Sequence, residues 1–186
     1  MRKLIFAVLL FCIIAVKLTN AQQHNKGFWG IAVNGGLILN DEVGKSLAVK
    51  YFRFLNGDFT IGGKLLFMET YKRFPEIGKH PIHHYFAIIA GDYTFLKRSP
   101  FYLSLSLDLG GGYENMRGLE EKLKKNYLEV SKGEKSSFGL IFAPKIEGEY
   151  FLGTLAISAE VGMMYFPFSN GEVIAPIMGI GIKQIF

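Results

Sequence analysis

Cysteine is almost missing from this chain. Its single copy, Cys12, lies inside an apolar N-terminal stretch, so the remainder folds without a disulfide framework. Phe11 precedes it where a lipoprotein signal would carry a small residue, so Cys12 reads as one more apolar member of that stretch. Long apolar runs are missing too. Nothing after the N-terminal stretch reaches the roughly 18 consecutive apolar residues that a membrane-spanning helix requires. The catalytic motifs are equally scarce: there is no nucleophile elbow, no Gly-rich phosphate loop and no HExxH. Small outer-membrane deacylases use a His-x-Ser pair on a strand, but here His83 and His84 are followed at that offset by Tyr85 and Phe86. The residues therefore point to no enzyme, no cofactor and no small-molecule substrate.

What is present begins with Arg2 and Lys3, then an apolar stretch from Leu4 to Val16, then Thr19-Asn20-Ala21 with small residues at the minus-three and minus-one positions. This order reads as a cleaved secretory signal peptide over residues 1–21, leaving 22–186 as one domain. Removing Arg2, Lys3 and Lys17 lowers the formal charge from +5 to about +2, so the basic balance is no argument for nucleic-acid binding.

The mature region alternates with a period of two. Phe101, Leu103, Leu105, Leu107 and Leu109 fall on one face, and Tyr102, Ser104, Ser106, Asp108 and Gly110 on the other. The same pattern predicts strands at Gly27–Leu39, Lys45–Leu55, Asp58–Tyr71, Ile82–Leu96, Phe101–Gly112, Ser137–Leu152, Thr154–Phe166 and Val173–Phe186. Several are long enough to cross a bilayer at a tilt of about 45°. The expected fold is all-β, an eight-stranded antiparallel up-and-down transmembrane barrel in the outer membrane. A closed barrel is the one alternative to helices that satisfies every backbone group in lipid.

Connections alternate in length. Asn56-Gly57 predicts a two-residue primed hairpin, Lys97–Pro100 a four-residue turn, and Gly153 a minimal one. Asn40–Gly44, Lys72–His80, Glu114–Ser136 and Pro167–Glu172 are longer. With both termini in the periplasm, the short turns share that side and the long loops lie outside. Met178, Ile180, Ile182 and Phe186 form the lipid face of the barrel-closing strand, and Gln184 interrupts it at headgroup depth. Trp29, Phe59, Tyr93, Phe95, Phe101, Tyr150, Tyr165 and Phe186 are placed as interface aromatics. Two residues conflict locally: Arg53 falls on an apolar face, indicating a bulge or a turn-proximal site, and Phe86 and Ile88 point inward if Tyr85, Ala87, Ile89 and Tyr93 point out.

The polar faces carry Lys50, Lys64, Asp92, Asp108, Lys145, Glu147, Glu149, Glu160 and Lys183. An eight-stranded barrel is filled by its own side chains, so these are expected as a paired lumen network rather than a pore. Periodicity alone leaves open a secreted lipocalin-like barrel, with the faces reversed around a ligand. His80, His83 and His84 lack a carboxylate or cysteine at ligand spacing and read as rim histidines rather than a metal site. Within the fifth connection, Leu119, Leu123, Tyr127 and Val130 recur at helical spacing, and Glu120–Lys124 and Glu121–Lys125 are favourable pairs. The stripe points to a short amphipathic helix that caps the mouth or docks a partner, and the alternative is a solvated, mobile loop carrying both signs of charge.

At Gly112-Tyr113-Glu114-Asn115-Met116-Arg117-Gly118 the chain resembles the conjugal transfer protein TraO family of Bacteroidetes conjugative transposons, with one residue fewer before Arg117. The similarity extends to the M-R-K start, Asn34-Gly35-Gly36, Tyr71–Pro75, Ser137-Phe138 and Gly179-Ile180-Gly181-Ile182. It implies an outer-membrane component of a DNA-transfer apparatus, with other conjugation proteins as partners besides membrane lipid and no catalytic residue. A generic small outer-membrane barrel of the adhesin or stress-protein kind is the alternative.

Overall fold

The computed structural model describes residues 26–40, 42–74, 78–126, 136–166 and 173–186. The signal-peptide expectation for residues 1–21 lies outside them. Eight strands run β1 (Trp29–Leu39), β2 (Val43–Phe54), β3 (Phe59–Phe74), β4 (Gly78–Arg98), β5 (Phe101–Asn115), β6 (Ser137–Leu152), β7 (Leu155–Phe166) and β8 (Val173–Ile185), with one helix, α1 (Arg117–Lys125), between β5 and β6. Each strand pairs antiparallel with the next, and β8 returns to β1 to close the barrel.

Alternation decides which side each residue takes. Outward positions are apolar: Leu105, Leu107 and Leu109 on β5 and Met178, Ile180 and Ile182 on β8 all stand exposed. Lys50, Lys64, Asp92, Asp108, Lys145 and Lys183 are buried inside. A lipocalin-like barrel would have these faces the other way round. The lipid-type belt has aromatic margins. At the end carrying both termini, Trp29 stacks on Phe186 at 4.5 Å and Phe59 lies 4.8 Å from Tyr93. At the other end Phe67 meets Tyr85 and Tyr113 meets Phe138. Phe101 and Tyr113 mark the two margins on β5, and their separation along a tilted strand gives a belt about 28 Å tall.

The connections differ from expectation where side chains or pairing override local pattern. Gly57 does not take the positive φ of a primed turn; instead the Asn56 Oδ1 accepts hydrogen bonds from the backbone N–H of Asp58 and Phe59, closing a longer Leu55–Asp58 turn. Gly153 does adopt a positive φ, 74°, between β6 and β7. β4 pairs with β5 as far as Arg98, so Ser99 and Pro100 alone make that turn. β3 and β4 also outrun the expected loop at Lys72–His80, pairing as a ribbon out to Phe74 and Gly78. Arg53 needs no bulge: it is exposed at the last turn of β2, beside the terminal margin. The register shift lies instead on β4, between Thr94 and Leu96, where Phe95 stands exposed on the same face as Tyr93.

Candidate functional site: the sealed lumen and its cap

The interior is layered. Nearest the termini, Ala32, Phe52, Phe54, Tyr102, Phe151, Ala156 and Ile185 form an apolar plug. Towards the other end a second plug contains Ile38, Leu66, Met68, Phe86, Ile88, Ile141 and Met164, which accounts for the inward Phe86 and Ile88. Narrowness is built into the backbone. A Cβ at Gly112 would meet the Tyr85 carbonyl at 2.2 Å and the Phe86 ring at 2.5 Å, so only glycine lets β5 approach β4 there.

Between the plugs lies the charged layer. Lys50 Nζ donates to both oxygens of Asp92, at 2.9 and 2.6 Å, and Ser106 Oγ donates to the same carboxylate at 2.7 Å. Lys183 Nζ bridges Glu147 at 2.7 Å and Glu149 at 2.6 Å. Lys145 lies 2.9 Å from Asp108 and 2.8 Å from Glu160, while Lys64 donates to Asp108 at 2.8 Å. Each lysine thus meets at least one carboxylate, the condition for holding charge in a low-dielectric interior. The gaps among these groups measure about 10 to 20 Å³, room for a single water molecule and far from a channel.

Above the second plug, α1 folds over the projecting end of β4. Leu119 and Leu123 are 0 % and 3 % exposed, packed with Met116 and Ile82. Ser136 ties both ends of the connection, accepting from the Met116 N–H at 2.9 Å and donating its own N–H to Glu120 at 2.7 Å. Of the two uses expected for the apolar stripe, these two leucines serve the cap; Tyr127 and Val130 lie outside the described residues. A partner reaching α1 meets its charged face, where Glu121, Lys122, Lys124 and Lys125 are exposed.

The three histidines part company. Strand alternation sends His83 outward, stacked on Phe67, while His84 points in, its Nε2 2.8 Å from Thr70 Oγ1 and its Nδ1 3.5 Å from Glu114. His80 sits beneath α1, where burial, reinforced by the charge of Lys122, holds its imidazole below the ordinary value. The Thr70–His84–Glu114 cluster was not legible in sequence because three strands contribute one residue each and no spacing links them.

The closed eight-strand barrel has clear structural counterparts. Neisserial surface protein A superposes with a TM-score of 0.62 at 16 % identity, covering 87 % of this chain and 98 % of its own. The fold is that of the small outer-membrane barrels. OprG of Pseudomonas aeruginosa matches with a TM-score of 0.53 at 12 % identity, over 88 % of this chain and 97 % of that one. Ail of Yersinia pestis, in complex with the heparin analogue sucrose octasulfate, matches with a TM-score of 0.52 at 12 % identity, over 87 % and 99 %. No family model and no curated protein matches the sequence, so the TraO resemblance gains no support from either comparison. At such low identity the closed eight-stranded fold is what these chains share.

Proposed function

We propose that this chain is an integral outer-membrane protein with a structural and interaction role, a sealed anchor that displays its loop end at the cell surface. The observation that carries this reading is the pairing of an apolar exterior with a plugged, charge-compensated lumen. Such a body is soluble only in lipid and conducts nothing, which leaves the surfaces beyond the belt as its working parts. The termini and short turns then face the periplasm, and the ribbon of β3 and β4 and the α1 cap face outward. This is the generic adhesin or stress-protein type of small barrel. Fractionation tests it: the mature protein should co-purify with outer membranes, migrate faster on unheated than on heated detergent gels, and give no steady conductance in planar bilayers. Recovery from the soluble periplasm would sink the proposal.

The Gly112–Gly118 segment supports a second reading, a component of a conjugative DNA-transfer apparatus. It occupies the junction where β5 passes into α1, at the loop end of the barrel. Normal mating frequency from a donor lacking the gene would remove this reading and leave the first intact.

A further inference from the structure

The outer face of the β3–β4 ribbon carries cations that the barrel itself does not require. Arg73 and Lys79 are direct cross-strand partners, a like-charge pairing that is unfavourable on its own. One carboxylate holds them together: Glu42, from the first connection, accepts from Arg73 Nη2 through one oxygen and from Lys79 Nζ through the other, each at 2.7 Å. Lys79 Nζ also lies 3.9 Å over the Tyr71 ring, whose hydroxyl donates to Glu69. Lower on the same face Lys45 is exposed beside its register partner Glu69, about 5 Å above the aromatic margin at Phe67. Arg73 and Lys79 stand roughly 14 Å above it. Among the described residues no other strand presents a cation outward at this end. Arg73, Lys79 and Lys45, with the His83 imidazole 3.8 Å from Glu69, thus face two carboxylates on the lipid side of the barrel, in the zone immediately beyond the belt.

We propose that this face binds a phosphate-bearing glycolipid headgroup of the outer leaflet, with Glu42 as the intramolecular stand-in for the phosphate between Arg73 and Lys79. The inference rests on the membrane reading above. The occupant follows from position and charge: the groups point sideways at neighbouring lipid rather than into the mouth. A phosphate monoester brings more negative charge than one carboxylate and three acceptor oxygens to match the donors. Lys45, below the pair, is placed to meet a second anionic group closer to the hydrocarbon.

The test uses the full chain purified from membranes in detergent and titrated by native mass spectrometry with bis-phosphorylated lipid A, its dephosphorylated form, and inorganic phosphate. The phosphorylated lipid should be retained at least tenfold more strongly than the dephosphorylated one. The double variant Arg73→Gln/Lys79→Gln should lose most of that preference, about fivefold per charge. Glu42→Gln should strengthen retention by removing the competitor, and Lys97→Gln at the terminal end should leave it unchanged. Heat-modifiability of each variant certifies the fold. Equal retention of both lipids by the folded protein, or an unaffected double variant, overturns the proposal. Full competition by millimolar inorganic phosphate overturns the lipid assignment in favour of a free-anion site. Failure of the chain to enter membranes overturns instead the reading on which it rests.

Discussion

Lys183 shows how much a single side chain is asked to hold. Its ammonium is the shared partner of Glu147 and Glu149, all three buried. Lys183→Met would take from two buried carboxylates the ammonium that they share, and we expect it to cost about 3–5 kcal/mol in urea titrations of the folded barrel. Adding Glu147→Gln and Glu149→Gln should recover much of that loss, because amides need no counter-ion. On the outside the sign of tolerance reverses. Leu105 projects into the middle of the belt, so Leu105→Arg should cost about 2–4 kcal/mol in the same assay. Every inward charge just described was visible in the sequence, because a period of two assigns each to the face opposite the leucines. Their pairing was not visible, since partners such as Lys50 and Asp92 lie on strands that do not touch along their edges.

Among the elements, the cap and the ribbon make separable predictions. The cap is fastened by Leu119 and Leu123, which bury against Ile82 and Met116 on top of the second plug. Replacing both leucines by Asp should release α1 to protease at its lysines while the barrel keeps its heat-modifiability, because strand pairing does not depend on it. The ribbon is fastened by Glu42. Its carboxyl is held below the ordinary range chiefly by the hydrogen bond from Lys79, with Arg73 adding. A depressed carboxyl contributes its tie above the unfolded value and loses it as pH falls through the folded one. Spin labels on the first connection and on β4 should therefore separate as the solution is acidified below the ordinary carboxylate range and approach again on neutralisation. The helix itself was legible from a 3.6 period, whereas the ribbon was not. Beyond the belt neither face must be apolar, so Lys72 to His80 shows no alternation, and Pro75 and Gly78 read as loop. The Asn56 turn departs from its local pattern for a related reason: the pair Asn-Gly favours a primed hairpin, but the Asn side chain satisfies the backbone N–H groups of a wider turn.

For the whole molecule, the single tryptophan is a built-in reporter. Trp29 lies at the terminal margin, stacked on Phe186 and 5.9 Å from Tyr51. In bilayers its fluorescence should be quenched more by labels near the headgroups than by labels at the acyl ends, and a core-buried tryptophan would show neither. The closed circuit that places it there also bears on how the chain finds its shape. Three of the four lumen lysines reach strands that are next-but-one, Lys50 of β2 to Asp92 of β4, Lys64 of β3 to Asp108 of β5, and Lys183 of β8 to Glu147 and Glu149 of β6, while Lys145 of β6 ties its two neighbours through Asp108 and Glu160. A hairpin of two neighbouring strands therefore carries Lys50, Lys64 or Lys183 without the carboxylate that it meets in the closed barrel. On this geometry the same ions that fill the finished interior should act, during assembly, as a check on the order of the strands.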